Sequence, residues 1–139
     1  MVAPCSTLAR LVKILLCAII FGAGCALAGC ASSQHATGDT TYTRVDDQVL
    51  VEVLLNEYKI HMPTTIPGGD VVFQIKNIGT HEHNFKIAGQ GVEAAPPHNL
   101  KPGESTELRV QLKPGTYKVT CPVGPHASLG MRLELTVTE

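Results

Sequence analysis

From Gln48 to the end of the chain, apolar side chains recur at every second position, in short runs cut by Pro and Gly. Val49, Val51, Val53 and Leu55 share one parity against Gln48, Glu52 and Asn56, and Val71, Phe73 and Ile75 alternate with Gln74 and Lys76. Further on, Leu108, Val110 and Leu112 face away from Glu107, Arg109 and Gln111. Tyr117 and Val119 oppose Lys118 and Thr120, and Leu133, Leu135 and Val137 oppose Arg132, Glu134 and Thr136. Successive side chains of a strand point to opposite faces, so each run has one face suited to a core and one suited to water. The segments 63–69, 77–79, 101–104 and 113–115 carry the Pro, Gly and Asn residues of turns, and 89–97, rich in Gly, Ala and Pro, reads as a loop. No ten-residue stretch after residue 43 has a helical period, so the pattern predicts an all-β sandwich.

The same parity places a set of metal donors. Cys121-Pro-Val-Gly-Pro-His126-Ala-Ser-Leu-Gly-Met131 offers a thiol, an imidazole and a thioether, with four residues between each donor and the next. Cys121 continues the inward parity of Tyr117 and Val119, Met131 that of Leu133 and Leu135, and His83 that of Phe85 and Ile87. All three fall at strand ends and point inward, while His126 lies in the loop and closes the group from outside. Thiolate, imidazole and a weak thioether form a soft-to-borderline set that favours copper able to exchange oxidation states. A lone buried Cys is more often a small hydrophobe and a Met core filling. The combined spacing with His126 and an inward His83 outweighs that plainer reading. His81 shares the parity of His83 one step further into the turn and is its rival. His61 and His98 read as surface or loop residues, and Glu82 points outward.

The Asn77-x-Gly79 and His83-Asn84-Phe85 segments, taken with residues 121–131, resemble the small blue-copper proteins, the cupredoxins. The resemblance covers about Val45 to Glu139. It implies a Greek-key β-sandwich of seven or eight strands holding one type 1 copper ion at one end, with His83, Cys121, His126 and Met131 as ligands. By the same analogy the Asn84 side chain ties the two ligand segments together and tunes the sulfur. Pro122 and Pro125 stiffen the loop by fixing φ, and Pro125, Ala127 and Leu129 surround His126 with a small apolar surface where a redox partner docks. The chain lacks the disulfide some members carry.

The first thirty residues are of another kind. Arg10 and Lys13 precede an uncharged apolar run over 14–28, and Leu27-Ala28-Gly29-Cys30 resembles the bacterial lipobox, whose Cys bears the lipid in the mature protein. An uncleaved membrane helix is the alternative. Either reading expects the remainder outside the cytoplasm, in the periplasm or on the outer face of the cell membrane. Residues 31–43 are small and polar and read as a flexible tether spanning about 20 Å, His35 among them, so the domain is expected from residue 44 to 139. Four of the five Cys (Cys5, Cys17, Cys25 and Cys30) belong to the leader, leaving Cys121 as the one thiol of the domain. Without Arg10 and Lys13, nine of the eleven Lys and Arg face twelve Asp and Glu, and no basic cluster suggests nucleic acid.

These features predict a monomeric electron carrier tethered to the membrane through Cys30, exchanging electrons with a cytochrome, oxidase or reductase. A copper reservoir or delivery protein uses the same donors, but the tether lacks the Met- or His-rich tracts such a protein needs. An enzyme with an open copper position needs further His or carboxylate ligands, and none stand in a second cluster.

Overall fold

The computed structural model describes residues 41–139 and the strand His35–Ala36; the expected leader 1–30 with Cys30, and most of the expected tether, lie outside the described residues. Two sheets face each other. The first runs in the order β1 (His35–Ala36), β2 (Thr41–Val45), β3 (Gln48–Asn56), β6 (Gly69–Asn77), β9 (Ser105–Leu112), with β4 (Lys59–His61) also paired to β3. The second runs β5 (Thr65–Pro67), β11 (Arg132–Thr138), β10 (Gly115–Thr120), β7 (Lys86–Gly89), β8 (Val92–Ala94). The chain crosses between the sheets after β4, β5, β6, β8 and β9, and the β3–β6 and β5–β11 pairs are parallel while the others are antiparallel. No helix occurs among the described residues.

The alternation read from sequence is what fills the space between the sheets. Val49, Val51, Val53 and Leu55 of β3, Phe73 and Ile75 of β6, Ile87 of β7, Tyr117 and Val119 of β10 and Leu135 of β11 are all buried in one cluster. Phe73 and Phe85 meet across it with ring centroids 5.0 Å apart. Each such side chain stabilises the fold by about 1.5–3 kcal/mol through the apolar area it removes from water. Val72 is buried although its parity faces outward. It sits on an interior strand, in register with Leu50 of β3 on one side and Arg109 of β9 on the other.

Several short segments depart from the sequence reading. Thr65–Pro67, within the expected turn 63–69, pairs in parallel with β11, and Val92–Ala94, within the expected loop 89–97, pairs with β7. Thr41, Tyr42 and Thr43, expected in the tether, form β2 against β3, where Tyr42 packs on the core. These pieces, with β4 and the two-residue β1, bring the count to eleven strand segments where seven or eight strands were expected. Each is too short to display an alternation of its own, and its pairing partner supplies the hydrogen bonds.

Two features bring the site together. The β10–β11 ladder continues one step past Thr120 and Arg132, where the Cys121 N–H donates to the Met131 carbonyl at 3.0 Å. His83 is held by an isolated bridge to Leu100, with N–H···O distances of 3.1 and 2.7 Å in the two directions.

Candidate metal centre

His83, Cys121 and His126 converge on one point. His83 Nδ1 lies 3.1 Å from His126 Nδ1 and 4.0 Å from Cys121 Sγ, and Cys121 Sγ lies 3.6 Å from His126 Nδ1. A first-row ion sits about 2.0 Å from an imidazole nitrogen and about 2.3 Å from a thiolate, so three donors around one ion lie about 3.5–3.8 Å apart. The observed sides, from 3.1 to 4.0 Å, straddle that spacing. Among the described residues it is the one grouping of three His, Cys, Asp or Glu donors close enough to share an ion.

Each donor has a distinct local origin. His83, Phe85 and Ile87 are all fully buried, so the parity of β7 persists through the irregular segment before it. Cys121 and Met131 are fully buried at the mouth of the β10–β11 hairpin, joined by their backbone hydrogen bond. His126 rides on the nine residues between them and stays partly exposed. Its carbonyl accepts the Met131 N–H at 3.0 Å and its N–H donates to the Val123 carbonyl at 3.0 Å. The Pro125 carbonyl accepts from the N–H groups of Ser128 and Leu129 and from Ser128 Oγ. Pro125 thus stiffens the loop through its carbonyl as well as its ring. The apolar rim expected around His126 is present in exposed Pro125 and Leu129 and half-buried Ala127, and it is extended by Tyr58, whose ring meets the His126 ring edge-on at 5.2 Å.

The electrostatics favour the metal-binding form of His126. Burial, reinforced by repulsion from His83 and His81, holds its pKa below the ordinary value, which keeps a ring nitrogen free to bind. Among the buried residues Cys121 is the free thiol.

Around the donors the structure corrects one expectation and adds a residue. The Asn84 side chain does not tie the two ligand segments together: its Nδ2 donates to Asn99 Oδ1 at 3.3 Å and its Oδ1 accepts the Phe85 N–H at 2.7 Å. The hydrogen bond to the sulfur comes from the Asn84 backbone, whose N–H donates to Cys121 Sγ at 3.4 Å. His81 is no rival for His83, since its side chain is 67% exposed and turned to Glu57. His61 bonds Asn56 and His98 bonds Glu104, both away from the centre. The addition is Glu57, in the turn between β3 and β4. Its Oε1 accepts the N–H groups of Thr80 and His81, each at 2.7 Å, and lies 3.4 Å from His83 Nε2. Donation by the His81 N–H, and then by its other N–H partners, holds the Glu57 carboxyl far below the usual carboxylate range. A carboxylate in a turn gives no sequence signal, because its partners lie 23 to 26 positions away.

The family profile described as the cupredoxin-like domain matches residues 19–131. The chain belongs to that family. With two His, one Cys and one Met gathered at one end of the sandwich, the cofactor of this cupredoxin-like domain is one type 1 copper ion. Solved structures agree on the fold. Auracyanin from the photosynthetic bacterium Roseiflexus castenholzii, solved in the dithionite-reduced state, is 22% identical with a TM-score of 0.56, covering 69% of this chain and all of that one. Reduced rusticyanin is 21% identical with a TM-score of 0.60, covering 77% of this chain and 89% of its own. Auracyanin A from Chloroflexus aurantiacus, described as a "blue" copper protein, is 19% identical with a TM-score of 0.54, covering 66% and 99%. No curated protein sequence matches the chain.

Proposed function

We propose that the protein is a membrane-tethered electron carrier whose metal ligands are His83, Cys121, His126 and Met131. The observation that carries this reading is the convergence of His83 Nδ1, His126 Nδ1 and Cys121 Sγ within 3.1 to 4.0 Å of one another. Copper bound there supplies a one-electron couple between Cu(I) and Cu(II). The chain's own residues supply the rest. Cys121, fixed by the ladder to Met131, presents its sulfur to the ion and, through its backbone, to strand β10. The Asn84 N–H donates to that sulfur and limits its charge donation. His83 is sealed in the core and His126 reaches the surface, so the apolar rim around His126 brings a partner near one imidazole edge. Such docking is brief and small in area. Held donors that keep their places on reduction leave little reorganisation to oppose transfer. The neighbours named above include proteins solved in reduced form and one described as blue copper, which supports the same chemistry here.

Residues 1–30 support the rest of the proposal. The basic start, the apolar run and Leu27-Ala28-Gly29-Cys30 suit export and lipidation at Cys30, with the domain held at the periplasmic or outer face of a membrane near a redox partner there. No substrate-turnover role is proposed.

The test is to add Cu(II) to the purified domain and record its visible spectrum. Intense blue thiolate-to-copper absorption is the expected result. Weak absorption with rapid loss of the metal to a chelator would overturn electron transfer in favour of copper delivery.

A further inference from the structure

One turn of the fold touches both imidazoles. Asn56 and Lys59 close the β3–β4 hairpin, and Glu57 and Tyr58 form its tip. Glu57 Oε1 lies 3.4 Å from His83 Nε2, while Nδ1 on the other side of that ring faces His126 and Cys121. Tyr58 packs edge-on against His126, and its carbonyl would lie 2.9 Å from a Cβ at Gly130.

We propose that Glu57 is a positioning residue of the copper site, which fixes His83 in the tautomer that leaves Nδ1 free for the metal and whose negative charge shifts the couple toward Cu(II). A carboxylate only accepts hydrogen bonds, so its contact with His83 requires a proton on Nε2 and leaves the lone pair on Nδ1. The His83 ring is fully buried, so no solvent competes for Nε2, whereas Glu57 keeps only a quarter of its side chain exposed. The carboxylate is itself clamped: the Thr80 and His81 amides and His81 Nδ1 all bond the same oxygen, at 2.7, 2.7 and 3.1 Å. The loop can approach this closely because residue 79 is glycine, where a Cβ would stand 2.7 Å from Glu57 Oε1. An anion hydrogen-bonded behind a ligand imidazole raises its basicity and favours the more highly charged ion.

This inference rests on the copper reading, and the two fail separately. Glu57→Gln keeps the shape and an acceptor oxygen but removes the charge. Redox titration of the copper-loaded protein at fixed pH should show the Cu(II)/Cu(I) ratio at a given applied potential reduced about tenfold, an upward shift of about 59 mV for one electron, with the blue band retained. A ratio within twofold of the unmodified protein overturns the charge role, even if stability falls. The second measurement needs no variant and no metal: ring 15N shifts of His83 in the metal-free protein should report Nε2–H. A dominant Nδ1–H tautomer overturns the positioning role. A wild-type protein that never turns blue would instead overturn the copper reading itself.

Discussion

Asn77 is the residue whose removal most directly tests how the site is held. It is fully buried at the end of β6, and its side chain makes three hydrogen bonds. Nδ2 donates to the carbonyls of His81 and Leu100, both at 2.8 Å, and Oδ1 accepts the Gly79 N–H at 2.9 Å. These bonds fold the chain between β6 and His83 back onto the residue that bridges His83. Asn77→Ala removes all three while sparing the backbone bonds of residue 77 to Glu104 and Gly103. At about 1 kcal/mol each the loss is about 3 kcal/mol. Two considerations lower it: the Leu100 carbonyl still accepts the His83 N–H at 3.1 Å, and water reaches the less buried Gly79 and His81 ends. The expected loss is therefore about 2 kcal/mol, which in a domain of this size lowers the melting temperature by roughly 8–16 °C. Urea unfolding of the metal-free protein reads it as a lower midpoint with an unchanged slope. Because His83 hangs from this segment, copper affinity should fall about tenfold as well. A stability loss below about 0.5 kcal/mol would refute the view that Asn77 fastens the ligand segment.

Cys121→Ser should fold, because the position accommodates a small side chain, but should abolish the blue absorption on adding Cu(II); persistence of the band would remove the sulfur from the ligand set. Met131→Leu fills the same buried space and should retain the blue colour while raising the reduction potential, as loss of a weak axial donor destabilises the oxidised ion; an unchanged potential and spectrum would contradict the axial assignment. His126 has a folded pKa below its ordinary 6.5, so in the interval below 6.5 the unfolded chain binds the extra proton and the metal-free protein loses stability as the pH falls. Urea midpoints measured from pH 7 to pH 5 should show this decline and show less of it in His126→Gln; an equal decline in both would assign it to other groups.

The parts of the molecule legible in the sequence are those whose signal is local. Val49 to Leu55 and Tyr117 to Cys121 announce their inward face because a strand's side chains alternate whatever its neighbours are, and extending that parity by one or two residues reaches three of the four proposed donors. Other parts depend on partners remote in sequence. Thr65–Pro67 looks like a turn because it is short and flanked by Pro and Gly, and it becomes a strand only through parallel pairing with the last strand. Thr41 to Thr43 read as polar tether, since a short strand near the margin of a sheet needs one apolar anchor, here Tyr42, rather than a repeated pattern. The Asn84 side chain was expected to do what its backbone N–H does, because side-chain identity is visible in a sequence and the direction of an amide is not. Glu57 was invisible for the same reason: its place beside His83 depends on a hairpin and a distant loop folding against each other.

The hydrogen bond between Cys121 and Met131 has a consequence for how such a site can change over time. It closes the hairpin on both sulfur-bearing residues at once, so the nine residues between them form an interchangeable cassette that brings a single donor of its own, His126. Segments of other lengths can be spliced there at a small entropic cost, altering solvent access and metal angles while the buried imidazole and the two sulfurs stay on an unchanged chassis. Redox properties and partner choice can then diverge in that short stretch without the sandwich having to be rebuilt.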